Sequence, residues 1–235
     1  PELYESVVHL QHRGTDAAGI MTYDDRMHKE KGMGLARDIF TKDNLSLLTG
    51  NIGISHNRYP THGGFGHGEV QPVWTSVPYG IAIAHNGQIT NYDELVEEVT
   101  KTEKRYLNTT SDTEVILHIF AEELNKNGNP QTSEEFFDVL CDVVSTLFKK
   151  VRGAYSITAL IVGKGLVVFR DPRGIRPLVR GEREVGSWHG GKDYIFASEN
   201  TMFYSMGYES KGNVLPGELI YVDNDGKLFS KRLVK

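Results

Sequence analysis

Two amphipathic helical segments that follow one another with no strand between them constrain this chain more than any other feature. SDTEVILHIFAEEL, within about 111–126, sets Val115, Ile119, Phe120 and Leu124 at helical spacing behind Ser111 and Glu114, the pattern of a capping box. SEEFFDVLCDVVSTLFKK, 133–150, carries Phe136, Leu140, Val143, Val144 and Leu147 along one stripe and closes on Lys149 and Lys150, which suit the negative end of a helix dipole. Shorter helical patterns cover about 2–11, with Leu3, Val7 and Leu10 on one face, and about 91–99. Strand-like runs are massed on either side of the helical pair: GNIGISHNRY and YGIAIAHN before it, then GAYSITALIVG, GLVVFRD, DYIFASE and GELIYVDNDGKLFSKRLV. Each is rich in β-branched or aromatic residues and bounded by Gly, Asn or Asp. Helices set between blocks of strands, rather than one helix per strand, predict an α+β fold with antiparallel sheets and segregated helices, not a doubly wound parallel sheet.

Composition narrows the partners. The 235 residues are 39% apolar, enough for a packed core, and no repeat, low-complexity segment or linker divides them, so one domain over 1–235 is the simpler reading. A net charge of -5 with Lys and Arg scattered among acids leaves no basic stripe, which speaks against nucleic acid as a partner. No apolar run approaches the roughly 18–20 residues that cross a bilayer, and PELYESVVHL lacks the features of a signal peptide, so a cytoplasmic location without a membrane partner is expected. Cys141, the sole cysteine, rules out an internal disulfide framework and reads as a packing residue on the 133–150 stripe.

Polar groups at the strand ends are the candidates for chemistry. Arg58 closes ISHNRY just before a Pro60 and Gly63-Gly64 turn; it is either a surface arginine or a planar fork of donors suited to a carboxylate or phosphate. Asp112, in the first turn of a helix, is explained by the helix dipole alone. Asn86-Gly87 between extended runs is the leading hairpin signal, yet the Asn86 amide beside the Gly87 N–H also supplies two donors of the kind that form an oxyanion hole. His56, His62, His67 and His85 cluster around these turns, but their spacing matches no ligand pattern and no metal is expected. In YVDNDGK, 221–227, a hairpin closed by Asp-Gly accounts for the acids better than a phosphate or magnesium loop.

Six segments then occur in order: LQHRGTDAAGI, HNRYPTHGG, AHNGQITN, NTTSDTEVIL, RGAYSITALI and FRDPRGIRPLVRGERE. Together they resemble the glutaminase domain of the amidophosphoribosyltransferase family, the amidotransferases that pass the amide nitrogen of glutamine to phosphoribosylpyrophosphate in purine biosynthesis, over essentially the whole chain. The resemblance implies an N-terminal-nucleophile hydrolase fold, a four-layer sandwich of two stacked antiparallel sheets flanked by helices. It implies that Arg58 holds the α-carboxylate of glutamine and Asp112 its α-amino group, with Tyr59, Thr61 and His62 lining the pocket. Asn86 and Gly87 become the oxyanion hole, and Arg13 and Gly14 support the loop of the nucleophile. Glutamine is the implied substrate of this half. Phosphoribosylpyrophosphate and magnesium belong to a phosphoribosyltransferase domain beyond Lys235, no cofactor to this one, and the full-length protein is expected to be a homo-oligomer.

Two departures stand out. Thr61-His62-Gly63 replaces the usual Thr-Ala-Gly and is similar to the hexosamine-forming amidotransferases, whose glutaminase domain is the alternative, although FRDPRGIRP favours the purine family. The family's nucleophile is the thiol of an N-terminal cysteine whose free α-amine acts as base, whereas this chain begins at Pro1, and Cys141 has no free α-amine. Either a short upstream segment with a Cys-Gly-Ile-like start precedes these residues, or the protein is a non-catalytic glutamine-binding relative.

Overall fold

The computed structural model describes residues 1–59, 67–185 and 191–234. In chain order the elements are α1 (Glu2–His9), β1 (Ala17–Tyr23), β2 (Met27–Met33), α2 (Ala36–Ile39), α3 (Lys42–Ser46), β3 (Ile52–Arg58), β4 (Val73–Thr75), β5 (Ile81–Ile89), α4 (Tyr92–Glu97), α5 (Asp112–Lys126) and α6 (Ser133–Lys150). They continue with β6 (Gly153–Ile161), β7 (Gly165–Arg170), β8 (Val179–Glu184), β9 (Lys192–Ala197), β10 (Glu209–Asn213), β11 (Glu218–Asp223) and β12 (Leu228–Arg232). Three sheets form, ordered β12-β11-β7-β6-β5-β4, β2-β1-β3 and β10-β8-β9. Every pairing is antiparallel.

Side-chain alternation explains how these sheets stack. On the outer face of the six-stranded sheet, Ile81, Ile83, Ile157, Phe169 and Tyr221 join the α5 and α6 stripes in the largest core cluster, which includes Phe120, Phe136, Leu140 and Leu147. The opposite face of β5 is small, and there Ala82 and Ala84 with Leu160 receive Met21 and Ile54 from the β2-β1-β3 sheet. Further along, Val168, Ile220 and Val222 meet Leu178, Tyr194 and Phe196 from the β10-β8-β9 side. Helices α1 and α2 cover β1 from outside through Val7, Ala36 and Phe40 against Ala18 and Ile20. The result is four layers: helices, a six-stranded sheet, the two three-stranded sheets, and an outer helical layer. Fully burying one Leu, Ile or Phe contributes about 1.5–3 kcal/mol, so the buried stripe of α6 matters energetically. Cys141 is buried on α6 and burial pushes its thiol up, as an inert packing residue requires.

The structure revises several sequence expectations. Asn86-Gly87 is not a hairpin bend: both lie inside the nine-residue strand β5, opposite Ser156 and Tyr155 of β6. The capping box at Ser111 does not close, because Ser111 accepts from Thr113 N while Glu114 turns away to Asn108 and Thr109. By contrast, 221–227 is the expected hairpin, with Asp223 accepting from Asp225 N and Lys227 N between β11 and β12. Strands β1, β2, β4, β8 and β10 and the short helices α2 and α3 lie outside the runs identified from sequence.

Candidate functional site

Strand β5 builds the centre of the site through its alternation. Residues 82 and 84 face the second layer, so Asn86 faces it too, and Arg58 points the same way from β3 as Ile54 does. One cavity of about 1590 Å³ between the sheets is lined by Arg58, Tyr59, Asn86, Gly87, Asp112 and Arg13, residues drawn from widely separated parts of the chain. The Arg58 residue is 8% exposed and Tyr59 64%, so the arginine is sunk into the wall while the tyrosine stands at the rim. Thr61 and His62 lie outside the described residues.

Backbone direction singles out the Gly87 N–H. Even-numbered amides of β5 point to β6, as Thr90 N does to Arg152 O. Odd-numbered ones point to the opposite edge, where His85 N donates to Gln71 Oε1 at 2.7 Å and Ile89 N donates to Asp112 Oδ2 at 3.3 Å. The Gly87 N–H falls between these two on the same edge, and Gly87 has φ +155°, a conformation that favours glycine. A side-chain amide and a backbone donor on adjacent residues of a fixed strand are therefore presented to one cavity.

Asp112 is not a helix cap; Ser111 is. Its carboxylate is tied back to β5 instead, with Oδ2 accepting from Ile89 N and Oδ1 lying 3.3 Å from His85 Nδ1. Burial pushes the Asp112 carboxyl up, but the His85 contact and the Ile89 and Thr113 amides outweigh it and hold the group below its ordinary value. It stays ionised at neutral pH. Of the four histidines considered for a metal, His56 and His85 are neighbours, and burial, then the adjacent His85, pull the buried His56 ring down to about 4. Among the described residues neither belongs to a set of three metal-ligating groups.

The loop leading into Asp112 is gripped by two carboxylates that sequence reasoning missed as site residues. Glu69 Oε1 accepts from Thr110 N and Oγ1, both at 2.9 Å. Glu114 accepts from Asn108 N and Nδ2 at 2.9 Å and from Thr109 N and Oγ1 at 2.7 Å. Glu69 and Thr110 are 41 residues apart, so no local spacing signals them. For Glu114, burial works against ionisation, but the His118 contact and the Asn108 and Thr109 donors win and hold the carboxyl down to about 2. A folded value below the ordinary 4.5 means that this contribution is complete above about pH 4.5 and is lost as pH falls towards 2. Glu114→Gln is therefore expected to flatten the acid limb of stability by about 2–3 kcal/mol, read from urea unfolding at pH 6 and pH 3.

Arg13 and Gly14 close the same end of the cavity. A Cβ at Gly14 would lie 2.4 Å from the Arg58 carbonyl carbon, so the chain can pass there only without a side chain. Arg13 pairs with Glu199 at 3.0 Å, just past β9, which places the C-terminal ends of β3 and β9 together beside Arg58. Each of these two strands is the edge of its three-stranded sheet, and both line the cavity along their length.

Stacked layers of antiparallel sheet with helices on both outer faces are the layout of the N-terminal-nucleophile hydrolases. Residues 65–205 match the family model described as a glutamine amidotransferase domain. The chain is 44% identical over 232 residues to the amidophosphoribosyltransferase of Haemophilus influenzae, covering 98% of this chain and 45% of that protein. It is 42% identical over 224 residues to that of Saccharomyces cerevisiae, covering 94% and 43%. The solved glutamine phosphoribosylpyrophosphate amidotransferase of B. subtilis superimposes with a TM-score of 0.78 at 30% identity, over 98% of this chain and 46% of that one. The chain belongs to the glutamine amidotransferase domain family and spans just under half the length of these relatives.

Proposed function

We propose that this chain is the glutaminase half of an amidophosphoribosyltransferase, cleaving glutamine by acyl transfer to a thiol that reaches the cavity on a strand between β3 and β9. The observation that carries the reading is the convergence of Arg58, Asn86, Gly87 and Asp112 on one cavity. Arg58 takes the α-carboxylate as a fork of donors and Asp112 the α-ammonium, which leaves the side-chain amide at the Asn86 and Gly87 donors. Tyr59 lines the pocket, and Arg13 and Gly14 support its closed end.

Strand polarity supports the source of the nucleophile. The C-terminal ends of β3 and β9 both lie at Arg58, so a strand antiparallel to the two would begin there and run the length of the cavity. It would end near Pro1, because α1 runs alongside β3 with Leu3 at Gly53 and Val7 O accepting from Asn57. An N-terminal residue of such a strand sits at the amide to be cleaved. Its thiolate attacks the amide carbon, the charge that develops on oxygen is held by Asn86 and Gly87, and the α-amine passes a proton to the departing nitrogen. Water then cleaves the thioester to give glutamate. Ammonia is delivered to a phosphoribosyltransferase half, where it displaces pyrophosphate from phosphoribosylpyrophosphate to give phosphoribosylamine, with magnesium bound in that half of a cytoplasmic homo-oligomer.

Steady-state assays on the full-length protein with its natural N-terminus test this. Ammonia release from glutamine is expected, with loss of all turnover when an N-terminal cysteine becomes alanine. Arg58→Ala is expected to raise the glutamine KM about 10²-fold, as loss of a bidentate charged contact does. Absence of ammonia release from the full-length protein, with glutamine bound, would instead select a non-catalytic relative.

A further inference from the structure

His85 is a buried member of the β5 segment around the site to which the mechanism above gives no task. Its side chain is 1% exposed, and Nδ1 lies 3.3 Å from both Asp112 Oδ1 and Thr113 Oγ1. A carboxylate only accepts, so Nδ1 carries the hydrogen and donates. The other nitrogen, Nε2, is buried with no hydrogen-bond partner among the described residues, and it lies 2.7 Å from where a Cβ on Gly87 would stand. The ring thus fills the space between the Asp112 carboxylate and the Gly87 backbone. Ile89 N binds the second carboxylate oxygen, so Asp112 is fastened to β5 from both sides of Gly87. Gln71 accepts from the His85 backbone N–H at 2.7 Å, which fixes the strand at the root of the ring.

We propose that His85 is a positioning residue that sets the distance between the group binding the substrate's α-ammonium and the donors that receive the oxyanion. This rests on the function proposed above. The carbon chain of glutamine fixes the separation between its ammonium and its amide, so the protein must hold Asp112 and Gly87 at a matching separation. A shift of about 1 Å at one end moves the amide off its donors and can cost about 10²-fold in turnover. His85 sits at the one place where a single rigid ring touches both. A residue that merely filled space could be exchanged for any isostere; a residue acting through Asp112 could be replaced only by one presenting an N–H where Nδ1 stands.

Asparagine does so and glutamine does not, since the Asn amide nitrogen overlays Nδ1 whereas the Gln amide nitrogen overlays Nε2. His85→Asn and His85→Gln are compared in the full-length protein, by steady-state kinetics and by calorimetric binding of glutamine, with His85→Ala as a third variant. His85→Gln and His85→Ala are expected to weaken glutamine binding roughly 10- to 100-fold, the range for losing a hydrogen bond to a charged group, and to lower kcat as well. His85→Asn is expected to stay within a few-fold of wild type. On an Asp112→Asn background the His85→Gln change is expected to add little, because its route of action has already been removed. Equal impairment of His85→Asn and His85→Gln, or full multiplicativity with Asp112→Asn, overturns the proposal. Binding is read without turnover, so a wild-type protein that binds glutamine but releases no ammonia sinks the proposed function and still leaves the binding ratios to decide on His85.

Discussion

Replacing Asn86 by alanine is expected to lower kcat for glutamine hydrolysis about 10²- to 10³-fold, or about 3–4 kcal/mol in the barrier, with little change in KM. On the proposed mechanism its amide meets the substrate oxygen chiefly when charge has built up there, so the loss falls on the transition state rather than on binding. The fold is expected to tolerate the change. Asn86 lies on the face of β5 that carries Ala82 and Ala84, and its strand is held by backbone pairing to Ser156 rather than by the side chain. Steady-state kinetics with a thermal melt separate the two effects, and an unchanged kcat would remove Asn86 from the mechanism.

Gly87→Ala is expected to damage the molecule itself. A Cβ there would lie 2.0 Å from Ala154 O and 2.8 Å from Tyr155 Cα, both backbone atoms of β6 that cannot step aside. The backbone at φ +155° adds strain of about 1–3 kcal/mol for a residue with a side chain. Together these predict destabilisation on the order of 4–5 kcal/mol, at the exceptional end for a single substitution. Urea unfolding checks it. A stability within 1 kcal/mol of wild type, on the order of a surface change, would mean that β5 slips by some route the register does not offer.

These two residues also show where sequence reasoning succeeds and fails. The apolar stripe of 133–150 was legible because a helix repeats its pattern over many turns, and Ser133–Lys150 is the observed helix. Asn86-Gly87 was open to two readings because a glycine at positive φ suits a tight turn as well as a strained strand. Only the pairing of all nine β5 residues with β6 decides between them. Strand β2, MHKEKGM, is partly exposed throughout, and all five residues of β10 are exposed, so neither shows the apolar alternation by which a strand is recognised. Read from local pattern, Arg58 and Asp112 were single candidates, and only the family resemblance paired them, because no spacing encodes that both line one cavity. Glu69, Gln71 and the tie from His85 to Asp112 were invisible for the same reason.

The placement of Asn86 and Gly87 within a paired strand has a consequence for how the protein meets its substrate. Sites assembled by a closing lid must wait for motion before their donors are aligned, and mutations far away can then slow them. Here the two donors are fixed when the sheet zips up, before any amino acid arrives. On the proposed mechanism, adjustment on binding falls to the opposite wall of the cavity rather than to β5, and so does the room for selection to change rate or discrimination.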